Sequence, residues 1–282
     1  MAVQNKIFSV NKTLNVRGRL VDLSQPKIMG ILNVTPDSFY SGSRVTDCDT
    51  AMRTVEAMVT AGADMVDVGG YSSRPGADEI PETAELKRVV PVIEALRKNF
   101  PTLILSIDTF RSEVAEAALY AGADMINDIT GGADERMYAV AAHAHAPYVL
   151  MHMRGTPQTM NQLTNYEDLN REMVDFFALR LEKIRQAGVP DVVLDPGFGF
   201  AKTAAQNFKL LGNLERLLVF EKPLLVGLSR KSMIWRTLQT NPDEALTGTI
   251  ALNTVAILKG ASILRVHDVK PAREVITLMS QL

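Results

Sequence analysis

The sequence has little that would tie it to an oxidising compartment, a membrane or a nucleic acid. It contains one cysteine, Cys48, so no intrachain disulfide can form. No apolar run is long enough to span a bilayer, and the segment Met1–Lys6 lacks the apolar region of a signal peptide. The 282 residues carry a net charge of -2, which gives no global field that attracts nucleic acid or a membrane surface. These absences predict a cytoplasmic protein whose anionic ligands are held by local basic residues.

One pattern recurs along the chain: a short apolar run ends in a polar residue, and a loop rich in glycine, proline, serine or threonine follows. Its clearest instance is Val192–Lys202, in which a β-branched run ends at Asp195, and Pro196 and Gly197 then stop the strand. Such a run is typical of a buried strand that delivers a polar side chain to the edge of a sheet. The predicted strands lie at 28–32, 65–68, 103–107, 125–126, 148–151, 192–195, 224–228 and 263–266.

Helical patterns separate these strands. The predicted helical segments are Met52–Val59 with Thr46 or Asp47 as a start cap, Leu86–Leu96 with a kink at Pro91, Leu169–Ile184, 134–144, 204–218, 243–259 and 271–282. Ala61–Met65 and Ala121–Met125 have the same sequence, and each follows a helical pattern and precedes a strand. The shared glycine fits a helix C-terminus that needs a positive φ.

Strands that alternate with helices imply a parallel sheet. Eight strand–helix units predict a single closed (β/α)8 TIM barrel, an α/β fold, over residues 28–282. An open doubly wound sheet is the alternative, but no Gly-x-Gly-x-x-Gly fingerprint opens the first unit. Two alternating pieces within 7–23 predict a β-hairpin in an N-terminal extension, residues 1–27, that covers one end of the barrel.

Active sites of such barrels lie at the carboxyl ends of the strands. The polar residues at that end are Asn33, Asp108, Asn127, Asp195, Lys231, Arg265 and His267. Their carboxylates and amides suit the edge of a heterocycle that carries both donors and acceptors. Arg265, His267 and Arg74 can hold phosphate oxygens, and the predicted helix start at Lys231 and Ser232 also favours an anion. No His/Cys spacing indicates zinc.

The blocks that carry these residues resemble, in order, the signatures of the dihydropteroate synthases, a family of pterin-binding enzymes. The blocks are Ile28–Phe39, Ser72–Gly76, Ser106–Thr109, Ile126–Asp128, Asp195–Phe200, Ser229–Ser232 and Arg265–Asp268. Each block alone is modestly specific, but the ordered set is highly specific, and the resemblance runs from about Ile28 to the end of the chain.

The resemblance implies a transferase of folate biosynthesis that joins (7,8-dihydropterin-6-yl)methyl diphosphate to 4-aminobenzoate and releases diphosphate and 7,8-dihydropteroate. The pterin contacts that it implies come from Asp108, Asn127, Met151, Asp195, Lys231 and Arg265. The implied diphosphate contacts come from Asn33, Arg74, Arg265 and His267. The implied aminobenzoate pocket is formed by Phe39, Ser73, Pro75, Phe200 and Ser232. Lys231, Arg265, His267 and Arg74 are the implied catalytic residues.

The resemblance further implies Mg²⁺ as a cofactor, with Asn33 as a metal contact, a homodimer, and inhibition by sulfonamides. The sequence departs from the family pattern at three positions: Ser41 stands where the family often has Asp, Tyr71 replaces a common Glu, and Ser73 replaces a common Thr. Two other functions stay open. One is a methyltetrahydrofolate-binding methyltransferase domain, which shares this barrel but needs a cobalamin partner. The other is an inactive binding protein, for which Ser41 would mark lost activity.

Five further residues have structural interpretations. Asp67 and Asp128 are interpreted as loop caps or as partners of the ligand-binding side chains. His152 is interpreted as a pocket wall or a hydrogen-bonded structural residue. Phe198 and Trp235 are interpreted as packing residues.

Overall fold

The computed structural model describes residues 10–34, 44–71 and 80–282, with the side chains of 44–47 excepted. Its first element is an antiparallel hairpin formed by β1 (Thr13–Val16) and β2 (Arg19–Asp22). Arg17 and Gly18 form its turn with φ angles of 51° and 76°. Two consecutive positive φ angles are what a tight two-residue hairpin turn needs. The predicted hairpin is confirmed within narrower limits, and the start of its predicted range lies outside the described residues.

The other strands form the barrel. They are β3 (Lys27–Asn33), β4 (Met65–Gly69), β5 (Ile104–Asp108), β6 (Met125–Asp128), β7 (Tyr148–Met151), β8 (Val192–Asp195), β9 (Leu224–Val226) and β10 (Ala261–Val266). These eight strands are parallel and close in the order β10-β3-β4-β5-β6-β7-β8-β9. The predicted α/β barrel with an N-terminal hairpin is therefore confirmed, and its strands match the predicted ones to within a few residues.

Helices surround the barrel. They are α1 (Arg44–Thr60), α2 (Glu82–Asn99), α3 (Ser112–Ala121), α4 (Arg136–His143), α5 (Leu169–Ala187), α6 (Ala204–Gly212), α7 (Ser232–Thr237), α8 (Leu246–Leu258) and α9 (Val269–Met279). Glycines with positive φ follow α1, α3, α5 and α8, as the repeated Ala-Gly sequences predicted. Within the described ranges, no helix is both long and apolar enough to cross a membrane.

The barrel interior has an apolar layer at one end and a polar layer at the other. The apolar layer consists of Met29, Met65, Ile104, Met125, Val149, Val193, Leu225 and Ile263. The hairpin residues Leu14 and Val16, with Leu23, pack against this layer and close the amino-terminal end of the barrel. Because side chains alternate across a strand, the residues two and four positions further on point inward again. These positions carry the polar residues at the carboxyl ends of the strands.

Three helix predictions need correction. Helix α1 begins at Arg44, so Thr46 and Asp47 lie in its first turn and do not cap its start. Val59 is 38% exposed because it lies at the edge of the stripe whose centre is the buried Val55. The predicted segment 204–218 divides into α6 and a 3-10 helix, Leu214–Phe220. Helix α2 contains Pro91 and continues to Asn99, so the helix is confirmed and the kink at Pro91 stays a prediction.

Candidate active site

The polar layer is built by adjacent strands. Its members are Asn33 on β3, Asp67 on β4, Asp108 on β5, Asn127 on β6, Met151 on β7, Asp195 on β8 and Arg265 on β10. Strand register pairs Asp108 with Asn127 and Met151 with Asp195. The closed barrel thereby brings together residues that lie far apart in the sequence, as the convergence of strand ends predicted.

Arg265 lies between two carboxylates. Its Nε donates a hydrogen bond to Asp67 Oδ2 over 2.7 Å, and its Nη2 donates to Asp108 Oδ2 over 2.5 Å. Burial acts to lower the pKa of Arg265, but the carboxylates of Asp67 and Asp108 outweigh it and raise the pKa. The guanidinium is therefore a permanent cation whose plane is fixed at two points. Its face and its remaining N–H groups are left for a ligand.

Burial disfavours the charged form of Asp108. Burial is the main cause that raises the pKa of Asp108 to about 7; Arg265 opposes the shift, while Asp67 and Glu85 add to it. Gly69 on the neighbouring strand leaves open the space beside this carboxylate. A Cβ at Gly69 would lie 3.7 Å from both Asp108 Oδ2 and Asn33 Oδ1.

Asp108→Asn is expected to remove one component of the pH dependence of stability. Between pH 3.8 and about 7 the folded protein holds a proton on Asp108 that the unfolded chain has released. The contribution of this group to the free energy of unfolding therefore falls as the pH rises through that range. The amide does not titrate, so urea unfolding at a series of pH values should show a shallower fall in the variant than in the wild type, because buried carboxyls such as Asp195 keep their own contribution. An Asp22→Asn control, at an exposed carboxyl whose pKa is lowered, should keep the wild-type fall. Parallel profiles for Asp108→Asn and the wild type would contradict the prediction.

Asn127 is buried beside Asp67. Its Nδ2 donates to Asp67 Oδ2 over 2.8 Å. Asn127 Oδ1 and Asp67 Oδ1 are buried and have no hydrogen-bond partner within the described part of the chain. A buried unpaired acceptor costs stability, so Asn127 Oδ1 is an oxygen that a ligand donor could satisfy.

Asp195 ends β8 and is only 6% exposed. Its Oδ1 accepts a hydrogen bond of 2.7 Å from the backbone N–H of Gly197. Burial is the largest cause that raises the pKa of Asp195, while this hydrogen bond and the positive charge of Lys231 act against the rise. The hydrogen bond to Gly197 leaves Oδ2, within the described part of the chain, as the oxygen of Asp195 that can accept from a ligand.

Lys231 lies at the start of α7, beside the loop that follows β8. Its Nζ donates to the carbonyl oxygen of Phe198 and lies 4.3 Å from the centre of the Phe200 ring. Burial is the main cause that lowers the pKa of Lys231 to about 8; Asp195 opposes the shift, and Arg265 adds to it. The half-buried ammonium of Lys231 therefore interacts electrostatically with Asp195, a predicted pterin contact. It also lies over the ring of Phe200, a predicted part of the aminobenzoate pocket.

Lys202 is a buried cation that the sequence did not single out. Its Nζ donates to the carbonyl oxygens of Gly197 and Phe200 over 3.0 and 3.1 Å and lies 3.0 Å from His152 Nδ1. Burial is the main cause that lowers the pKa of Lys202 to about 7, and burial together with this lysine lowers the pKa of His152 to about 2. His152 is thus a hydrogen-bonded structural residue, as predicted. A lysine beside polar loop residues looks solvent-exposed in a sequence, so no signal could have found it.

The remaining predicted residues lie at the margin of the site. His267 is exposed, and its Nδ1 lies 3.1 Å from Ser229 Oγ. It also borders a groove of about 520 Å³ between α1 and α9, whose walls include Arg53 and Lys270. Ser232 is exposed at the first residue of α7. The side chains of this margin are therefore open to an anion that approaches from solvent.

Other predicted residues have structural roles or lie outside the described ranges. Asp128 Oδ1 accepts from Thr130 N, and Asp128 Oδ2 accepts from Gly132 N and Tyr148 Oη, which makes Asp128 a loop cap as predicted. Phe198 is fully buried, as predicted for a packing residue. Phe39, Ser41, Ser73, Arg74 and Pro75 lie outside the described residues.

Asn33 is the predicted metal contact at the carboxyl end of the barrel. The described residues contain no group of three or more His, Cys, Asp and Glu side chains that could hold a metal ion by itself. Mg²⁺ commonly takes one or two protein oxygens and completes its shell with substrate phosphates and water. The amide oxygen of Asn33, which ends β3 across Gly69 from Asp108, is chemically suited to such a contact.

Comparison with known proteins agrees with this geometry. Residues 29–267 match the family model described as pterin binding enzyme. A dihydropteroate synthase of Synechocystis is 49% identical over 252 residues, which cover 88% of this chain and 87% of that protein. The chain belongs to the pterin-binding enzyme family. Because its relatives are dihydropteroate synthases, this pterin-binding enzyme is a transferase.

Solved structures share the fold of this pterin-binding enzyme. The dihydropteroate synthase of Yersinia pestis, solved in a complex with a sulfonamide drug, has a TM-score of 0.90 and 43% identity, covering 95% of this chain and 98% of that one. The enzyme of Thermus thermophilus, solved with 4-aminobenzoate, has a TM-score of 0.86 and 39% identity, covering 96% and 98%. The barrel and its N-terminal hairpin are thus those of known dihydropteroate synthases.

Proposed function

We propose that the pterin-binding enzyme condenses (7,8-dihydropterin-6-yl)methyl diphosphate with 4-aminobenzoate to give 7,8-dihydropteroate and diphosphate. The observation that carries this proposal is the set of buried acceptors at the carboxyl end of the barrel, beside two cations. Asn127 presents a buried oxygen without a partner among the described residues, and Asp195 is a nearly buried carboxylate whose Oδ1 is held by Gly197 N–H. The charges of Lys231 and Arg265 both act on Asp195. A flat heterocycle with several N–H donors would satisfy these oxygens.

The pterin is proposed to lie between these acceptors and Met151. Asp195 Oδ2 would accept from the amino and ring N–H groups of the heterocycle, which is a charge-assisted contact. Asn127 Oδ1 and Asp108 would accept from further N–H groups. Met151 is buried in an apolar cluster with Ile129 at the same end of the barrel, which provides a wall for the ring. The guanidinium face of Arg265 would stack on the opposite side.

The diphosphate is proposed to extend toward the margin of the barrel. Arg265 contacts Asp67 and Asp108 through Nε and Nη2, which leaves Nη1 for the diphosphate, and His267 is the first residue after β10. Asn33 would contact the diphosphate and Mg²⁺, and Arg74 is proposed to add a second guanidinium. When bound, Mg²⁺ would supply charge neutralisation for the leaving group.

The proposed reaction breaks the bond between the pterin methylene carbon and the diphosphate oxygen, and the electron pair leaves with the diphosphate. The dihydropterin ring stabilises the resulting cation by electron donation from its nitrogens. The amine of 4-aminobenzoate then forms the new C–N bond and loses a proton to solvent. The task of the protein is to hold both partners in line and to exclude water from the cation.

The aminobenzoate is proposed to lie beside the Phe200 ring and Lys231. The ring–ammonium contact holds both side chains at the edge of the pterin site. Ser232, exposed at the start of α7, would contact the carboxylate of the substrate. Phe39, Ser73 and Pro75 are proposed to complete this pocket. The same pocket would bind sulfonamides, which share an aniline ring with the substrate.

A turnover assay tests the proposed function. Purified enzyme is mixed with the dihydropterin diphosphate, 4-aminobenzoate and Mg²⁺, and release of diphosphate that depends on aminobenzoate is expected. Methyl transfer from methyltetrahydrofolate to a cobalamin protein would instead support the methyltransferase alternative. Pterin binding in calorimetry without any turnover would identify an inactive binding protein.

A sulfonamide provides a second arm of the same assay. Inhibition that rising aminobenzoate relieves is expected, because drug and substrate would occupy one pocket. Inhibition that aminobenzoate cannot relieve would contradict a shared pocket. Omission of Mg²⁺, with chelator present, is expected to slow diphosphate release without abolishing the binding of free pterin.

A homodimer is also proposed, on the strength of the family resemblance. Leu258 on α8 and Leu278 on α9 are 67% and 70% exposed, and these two helices pack side by side. These leucines are apolar side chains that a dimer contact through α8 and α9 would bury. Light scattering of the purified protein measures the mass.

A further inference from the structure

Asp67 touches two of the predicted pterin-binding side chains but is set back from the mouth of the barrel. It lies in the middle of β4, is fully buried, and is paired by register with Ile31 on β3 and Ser106 on β5. One of its oxygens, Oδ2, accepts from both Asn127 Nδ2 and Arg265 Nε. A single carboxylate oxygen on β4 therefore contacts one side chain from β6 and one from β10. In the barrel, these two strands lie on opposite sides of β4.

We propose that Asp67 is a positioning residue that sets the orientation of the Asn127 amide and the Arg265 guanidinium for the heterocycle. This inference rests on the proposed function of the same site. The chemical reason is that an ionised carboxylate only accepts hydrogen bonds. The Asn127 amide must therefore turn its nitrogen toward Asp67 and its oxygen away from it. This fixes Asn127 Oδ1 as the acceptor presented to the ligand.

The second effect of Asp67 concerns Arg265. Asp67 holds Nε and Asp108 holds Nη2, so the guanidinium plane is fixed along one edge. Without Asp67 the group would keep one contact and could rotate about it. Asp67 is therefore one of the two carboxylates that set the plane of the guanidinium.

The unpaired oxygen of Asp67 supports a role other than folding. Asp67 Oδ1 is buried without a hydrogen-bond partner within the described ranges. A carboxylate in the middle of a barrel strand is costly to bury, and an unpaired oxygen adds to that cost. Local rules of folding are broken in this way chiefly at functional sites. An apolar or amide side chain at this position would avoid the burial of a carboxylate but would leave Arg265 without one of its two anionic partners and would no longer orient Asn127.

The test is Asp67→Asn, with free pterin as the probe. The new amide can both donate and accept, so it no longer dictates which way Asn127 faces, and it gives Arg265 no charge. Calorimetry should show pterin affinity weakened about ten- to a hundredfold, the range expected for lost hydrogen bonds to a charged group. The KM for the pterin diphosphate should rise with it, while the KM for aminobenzoate should change less than about threefold.

Asp128→Asn is the matched control. Asp128 is an equally buried carboxylate two strands away, on β6, but its side-chain hydrogen bonds come from Thr130, Gly132 and Tyr148 rather than from Asn127 or Arg265. This variant should lose thermal stability and keep the pterin affinity of the wild type. Equal loss of pterin affinity in both variants would overturn the proposal, since a general loss of packing would then explain it.

A double-mutant cycle adds a readout that a merely structural role would not move. Asp67→Asn should weaken pterin binding less in an Asn127→Ala background than in the wild type, because part of its effect passes through Asn127. Full additivity, or unchanged pterin affinity in folded Asp67→Asn, would overturn the inference.

Two further outcomes can be told apart from a failure of the proposed role of Asp67. If Asp67→Asn does not fold, Asp67→Glu keeps the charge but displaces both partners, and its pterin affinity decides the question in the same way. If the wild type itself neither binds pterin nor turns over, the proposed function fails rather than the role of Asp67.

Discussion

Asp195→Asn is expected to weaken pterin binding by about 2–4 kcal/mol, because it replaces a charge-assisted acceptor with a mismatched donor. Asp195 ends β8 with one oxygen held by Gly197 N–H, so the carboxylate cannot turn away from the ligand. In the variant, the amide must satisfy Gly197 with its oxygen. Its NH₂ group then faces the N–H donors of the heterocycle, and the two donors repel.

Calorimetry with free pterin measures this loss directly. Asp128→Asn serves again as the control, because its carboxylate is buried and has no contact with the proposed site. The pH dependence gives an independent check: burial raises the pKa of Asp195, so wild-type affinity should fall once the pH drops below that raised pKa. The variant has no such group to protonate. Unchanged affinity in Asp195→Asn would remove Asp195 from the site.

The barrel could be predicted because each strand gives two signals in the sequence. Each strand is a short apolar run, and each ends in a polar residue followed by loop-forming residues, as at Asp108 and Asp195. The glycine that follows α1, α3, α5 and α8 adds a third signal, and Gly62 and Gly122 indeed have φ angles of 98° and 121°. Local rules of this kind fix the order and number of strands. The closed order of the strands then follows from the number of units.

The contacts inside the polar layer could not be predicted in the same way. Asp67 lies within an apolar strand and not at its end, so the sequence indicated only a partner role without naming the partners. Lys202 looks like an ordinary loop lysine, yet its ammonium is surrounded by the carbonyl oxygens of Gly197 and Phe200. Such contacts depend on tertiary distances between segments far apart in the chain. The predicted start of α1 was also wrong by a few residues. Thr46 and Asp47 are residue types that often cap a helix, but they lie inside its first turn.

Gly197→Ala is expected to cost about 2–5 kcal/mol of stability, the sum of left-handed strain and steric overlap. Gly197 has a φ of +68°, and a Cβ there would overlap the carbonyl oxygen of His152. That oxygen belongs to the backbone and cannot move aside like a flexible side chain. The turn also supplies the N–H that holds Asp195 and a carbonyl that binds Lys202. Displacing it should weaken pterin binding as well as folding.

Gly188→Ala separates the two causes of that loss. Gly188 has a similar φ of +82°, but a Cβ there would have no heavy atom within 4 Å. It should therefore cost only the strain of a left-handed alanine, about 1–2 kcal/mol, and leave pterin affinity unchanged. Urea unfolding measures both variants, and calorimetry measures their pterin binding. Equal stability of Gly197→Ala and Gly188→Ala would contradict the steric overlap between a Cβ at Gly197 and His152. Equal pterin affinity of the two variants would contradict the role of this turn in holding Asp195.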